Sequence, residues 1–156
     1  MKNLGYFFHS VAFLILVGIT AFIILNFNSL PDIIPTHFNL SGKPDSFSNK
    51  NFIFFLMPIG FMIFLTLFFT SKNPESPFLN LPKDIKENKL ATFLVLSVIN
   101  CVFSLIFADL FYESYLVAMS KRTELSGNIL YLLGALLLII ILINIFSKKI
   151  GKLNIS

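Results

Sequence analysis

Long apolar runs alternate with short polar segments along this chain. Residues 7–27 (FFHSVAFLILVGITAFIILNF), 52–70, 90–111 and 129–146 are apolar nearly all round, without the polar stripe at a 3.6-residue period that marks a helix half in water. Runs of about 20 apolar residues are long enough to cross the hydrocarbon layer of a bilayer as helices. The pattern predicts an all-α integral membrane protein with four transmembrane helices. The first run is too long for a signal peptide, and NSLPD follows it instead of a small-residue cleavage site, so it reads as a retained span.

The polar segments differ in character. Between the first two spans stands LPDIIPTHFNLSGKPD, residues 30–45, with three prolines, a glycine and one of the two histidines of the chain. Pro31 and Pro35 fix φ and disfavour helix before them, which ends the first span near Asn28. Residues 36–39 read as an extended piece, and 41–45 as a turn in which Gly42 supplies a positive φ. Ser48 or Asn49 is placed to cap the second span. A floppy linker would be built of Ser, Gly and Lys. Here prolines alternate with Leu30, Ile33, Ile34 and Phe38, which need something to pack on, so the loop over residues 28–50 is expected to be an ordered cap. Residues 71–89 form a charged, proline-containing connection, and residues 113–128 a shorter polar one. The chain divides into residues 1–70, two spans with the motif loop, and 71–156, a second loop with spans three and four.

Composition agrees with the pattern: 56% of residues are hydrophobic and 13% charged, against about a quarter charged in a soluble domain. The high Phe, Ile, Asn and Lys content fits an AT-rich genome and a bacterial source. The net charge of +4 does not point to nucleic acid, because the lysines bracket apolar runs and form no patch with interleaved aromatics. It reads as positive-inside bias. One side of the membrane would carry Lys2, Lys72, Lys83, Lys86, Lys89, Lys148, Lys149 and Lys152; the other only Lys43, Lys50, Lys121 and Arg122. Both termini are thus expected in the cytoplasm of a cell membrane, with the proline loop extracytoplasmic. The single cysteine, Cys101, lies in an apolar run and excludes an intrachain disulfide and a cysteine-based zinc site.

The loop's ionisable groups are Asp32, His37 and Asp45. Two carboxylates and an imidazole suit a divalent metal or an acid–base pair. Aspartates after prolines equally accept backbone N–H bonds in turns, and His37 can bond within the loop. No HExxH, nucleophile elbow or phosphate loop occurs. The run Leu30, Pro31, Asp32, Ile34, Pro35, His37, Phe38, Asn39, Gly42, Pro44, Asp45, Lys50, followed by a second span, resembles the motif of domain-of-unknown-function family 1648, the N-terminal part of SdpI-type membrane immunity proteins. That resemblance covers the first third to half of the chain. It implies an external loop serving toxin immunity or signalling, with a peptide toxin or a membrane protein as partner. The chain departs from the SdpI type in having four spans and a shortened C-terminal portion.

Polar residues also stand inside the spans. Ser97, Asn100 and Ser104 share one face of the third span, where small polar residues join helices in lipid or line a polar path. His9 is expected to make an interhelical or interfacial bond. Asp109 and Glu113 share another face at the outer end, where two carboxylates repel unless a cation such as Lys121, Arg122 or His37 intervenes. They could form an outer acidic pocket beneath the loop. Gly60, beside Pro58, and Gly134, beside Ala135, would allow close helix contact or a kink. The expected function is binding, with Asp32, Pro35, His37, Asn39, Gly42, Asp45 and Lys50 as the binding residues. No catalytic residue, metal site or cofactor is assigned. A small membrane enzyme or metal-dependent factor using the His/Asp/Glu set, and a small carrier or transporter subunit, remain alternatives. The oligomeric state is open.

Overall fold

In a computed structural model, which describes residues 2–152, four helices are long and apolar enough to cross a membrane: α1 (Lys2–Asn26), α2 (Ile53–Ser71), α4 (Lys89–Ala118) and α5 (Asn128–Ile145). Two short helices, α3 (Lys83–Lys86) and α6 (Ser147–Gly151), pack together at one end of the bundle. At the other end stands a two-stranded antiparallel hairpin, β1 (Ile33–Phe38) and β2 (Pro44–Asn49). The predicted membrane bundle with an ordered segment between α1 and α2 is therefore present. The hairpin is an addition to the all-helical expectation, since only residues 36–39 were read as extended.

α4 is the pillar of the bundle. α1, α2 and α5 each pack on it, and α1 also meets α2. Asn88 caps its start, its side-chain oxygen accepting from the backbone N–H of Leu90 and Ala91 at 3.0 and 3.1 Å. The pattern put the end of this span at residue 111 and a polar connection from 113. The helix instead runs on to Ala118. Its continuation is explained by Arg122, which returns to pair with Glu113 and satisfies the carboxylate within the helix. The helix then closes at Ser120, whose positive φ of 54° turns the chain.

Packing is apolar above and below a polar lock. Under the hairpin, Leu30 and Ile34 join Ile23, Ile53, Met57, Phe111 and Tyr115 in one buried cluster. Burying each of the two loop side chains contributes roughly 1.5–3 kcal/mol relative to leaving it in water, which anchors the hairpin to the helices. Gly60 lets α2 approach α4: a Cβ there would lie 2.7 Å from the Phe107 ring. A Cβ at Gly134 would meet no other part of the described residues within 4 Å, so no close helix approach is made there.

The lock joins three helices. Asn100 of α4 donates to His9 Nδ1 of α1 and to the Phe64 carbonyl of α2, each at 3.2 Å. With Nδ1 accepting, the His9 proton belongs on Nε2, which lies 3.2 Å from Ser71 Oγ. Ser71 in turn donates to the Phe68 carbonyl at 2.6 Å. His9 is 3% exposed, and Ser97, Asn100 and Ser104 are fully buried. Ser97 bonds back to the Leu94 carbonyl of its own helix. The stripe thus faces the helix interfaces, and Asn100 alone of the three bonds another helix among the described residues.

Candidate functional site at the hairpin

The motif residues build the hairpin from base to tip. At the base, Lys50 Nζ lies 3.2 Å from Asp32 Oδ1 and donates to the Leu30 carbonyl at 3.1 Å, while the Lys50 N–H donates to the Asp32 carbonyl. Pairing then runs Ile33 with Asn49, Ile34 with Ser48 and Pro35 with Phe47, before bulging around residue 36. Across the upper strands, His37 Nδ1 meets Asp45 Oδ1. At the tip, the Asn39 side chain accepts from the Ser41 and Lys43 N–H groups at 2.9 and 3.1 Å, closing an Asx turn. Gly42 sits there at φ +76°. Asn49 starts the return to α2, accepting from the Asn51 N–H.

Asp32, His37 and Asp45 therefore do not converge. His37 and Asp45 form one pair, and Asp32 belongs to Lys50 at the other end of the strands. Among the described residues no three His, Cys, Asp or Glu side chains are grouped to hold a metal ion. The two acidic residues of α4 separate as well. Glu113, 4% exposed in its side chain, accepts from Arg122 Nη1 at 2.6 and 2.8 Å and from the Ser126 N–H at 3.1 Å. Of the cations named as partners for it, Arg122 is the one used. Asp109 instead lines a different cleft, with Gly18 and Phe22 of α1 and Leu132 of α5, and its Oδ2 has no hydrogen-bond partner among the described residues.

What lies beneath the hairpin is an apolar chamber of about 710 Å³. Its roof is β1 and the turn, from Ile34 to Gly42; its floor is Leu110, Phe111 and Ser114 of α4; Ile53 and Leu56 of α2 stand on one side, Ile129 and Leu130 of α5 on the other. The segment between α4 and α5 completes the roof. Its Leu125 N–H donates to the Gly42 carbonyl at 2.8 Å, and a Cβ at Gly42 would lie 3.1 Å from the Leu125 carbonyl oxygen. Glycine is needed there twice, for its φ and for this approach. Pro35, His37, Asn39 and Gly42 border the chamber, whereas Asp32, Asp45 and Lys50 hold the hairpin that covers it. The wall formed by residues 124–127 was missed in the sequence. The one trace of it there is Leu125, a lone apolar residue in the polar run TELSGN. Above the chamber the hairpin exposes Ile33, Leu40 and Phe47 to 58%, 106% and 55%.

Residues 14–70 match the family model of a domain of unknown function, DUF1648, so the domain family read from the motif is borne out. The matched stretch takes in the second half of α1, the hairpin and nearly all of α2. An uncharacterized protein of Archaeoglobus fulgidus is 34% identical over an alignment of 65 residues that covers 38% of this chain and 36% of that protein. The chain thus matches little more than a third of that relative's length. No solved structure matches it.

Proposed function

We propose that this multi-pass membrane protein, with its DUF1648 segment, is a binding protein whose hairpin and chamber receive an apolar segment of a peptide or membrane protein on the extracytoplasmic side. The observation that carries this reading is the chamber itself: apolar, built between α2, α4 and α5, and roofed by the residues of the motif. Exposed Ile33, Leu40 and Phe47 extend the apolar surface upward for a partner to rest on. Immunity or sensing is the role proposed, supported by the resemblance of the motif to that of SdpI-type proteins, with occlusion of the partner, not bond chemistry, as the mechanism. The paired states of His37, Asp45, Asp32 and Lys50 suit residues that hold a surface in shape.

Two experiments test this. A photo-crosslinking side chain at Leu130, in the chamber, is expected to give a discrete peptide or protein adduct in living cells, absent when the probe stands at Phe69 at the far end of α2. Lipid adducts alone at both positions would remove the reading. Orientation is read by single cysteines in a Cys101→Ser background. Ser41→Cys should react with an impermeant maleimide in intact cells and Glu75→Cys should not; both positions are exposed, so a reversed pattern would put the hairpin inside.

A further inference from the structure

The end of the bundle opposite the hairpin holds a second cavity, of about 690 Å³, between the end of α2, the segment leading to α3, and the start of α4. Lys72, Lys83, Lys86 and Lys89 line it, against Glu75 and Glu87. Among the described residues only Lys83 has a carboxylate in reach, Glu87 Oε1 at 3.7 Å. Lys86 Nζ donates to the Leu79 carbonyl at 3.2 Å, which uses one of its three N–H groups. The Lys72 ammonium lies 3.9 Å from the centre of the Phe68 ring. Four lysines line the cavity against two carboxylates, and Lys72, Lys86 and Lys89 have no carboxylate within reach among the described residues, which leaves an excess of positive charge suited to an anion.

We propose that this cavity binds the phosphate-bearing headgroup of an anionic lipid in the adjoining leaflet. Its position selects a lipid over a free anion. Lys72 directly follows the last residue of α2 and Lys89 is the first of α4, so the lysines sit where two spans leave the hydrocarbon. Phe78, 82% exposed on the same connection, is placed to enter the acyl boundary beside the headgroup. Lysines act here as point charges without the bidentate fork of arginine. Such a site gains from a ligand already concentrated in its plane. Basic pockets between spanning helices hold anionic headgroups by this means.

The test is a lipid titration of the purified full chain, read by native mass spectrometry and thermal unfolding. Phosphatidylglycerol is expected to bind and raise the unfolding temperature, phosphatidylcholine to do neither, and salt to weaken the effect. Lys72→Gln/Lys86→Gln/Lys89→Gln should lower the affinity about a hundredfold, at about fivefold per lysine, and the matching arginine variant should keep it. Lys2→Gln/Lys148→Gln/Lys149→Gln removes as much charge from the same end outside the cavity, and should leave binding within a few-fold. Equal losses in the two glutamine triples would mean diffuse surface charge and overturn the proposal. So would inorganic phosphate reproducing the effect at the same concentration, which would make the ligand a soluble anion. Should the cavity triple fail to fold, Lys89→Gln alone, at an exposed helix start, decides: unchanged binding overturns the site. None of these readouts depends on the hairpin or its partner.

Discussion

The two histidines of this chain make opposite use of one side chain. His9 is buried among three spans, with a partner at each ring nitrogen and Phe64, Phe68 and Phe93 around it. His37 stands on the hairpin with 69% of its side chain exposed and Asp45 across the strands. At that exposed site solvent readily takes the place of Asp45, so the pair adds little to stability. Within the bundle nothing replaces a lost bond, and the His9 network holds α1, α2 and α4 in register. The exposed hairpin pair therefore counts for less than the buried interhelical contact, although both are made by a histidine.

The sharpest way to separate burial from position is Arg122→Ala. Arg122 and Glu113 lie at the hairpin end, yet Glu113 is buried. Removing the guanidinium leaves a carboxylate without its cation, at about 3 kcal/mol, the lower end for a broken buried pair because Arg122 is partly exposed. Chemical unfolding in detergent should show this as the largest loss of the series. Asn100→Leu comes next. It removes both donors of the interior lock and should lower stability by roughly 0.6–2 kcal/mol, with any binding activity falling only as the folded fraction falls. An equally stable Asn100→Leu protein without activity would assign the stripe to a polar path. Gly42→Ala should cost about 1 kcal/mol for the positive φ, and release the turn from Leu125. External protease should then cut between Leu40 and Lys50 faster, while the unfolding of the helices stays in place. His37→Ala should be the smallest, under about 1 kcal/mol; a loss matching that of Asn100→Leu would erase the contrast between the two histidines.

The bundle was legible in the sequence because spanning a membrane imposes length and uniform apolarity, both local properties. Turn chemistry was legible in part for the same reason: Gly42 and the prolines declare what the backbone does beside them, whereas Asn39, read as extended, closes the turn. Partner choice was not. Asp32, His37 and Asp45 lie within sixteen residues, and nearness along the chain suggested one cluster. An antiparallel hairpin instead separates its base from its tip and hands Asp32 to Lys50. The chamber needed Leu125, more than eighty residues from the turn it touches, and no local pattern specifies that contact. The end of α4 was misjudged because Glu113 looks like a helix-ending polar residue until Arg122 is brought back to it.

The length of α4 sets a scale for the lipid around it. At 30 residues it measures about 45 Å, against about 28 Å for the 19 residues of α2, beside a hydrocarbon layer of about 30 Å. The pillar must lean or stand proud, and what it lifts clear is the stretch carrying Glu113, with Arg122 beyond it. Bilayer thickness therefore becomes a setting of the molecule. A thin membrane leaves the carboxylate–guanidinium pair in the wet headgroup layer, whereas a thick one draws it toward oil and tilts the platform on which the chamber rests.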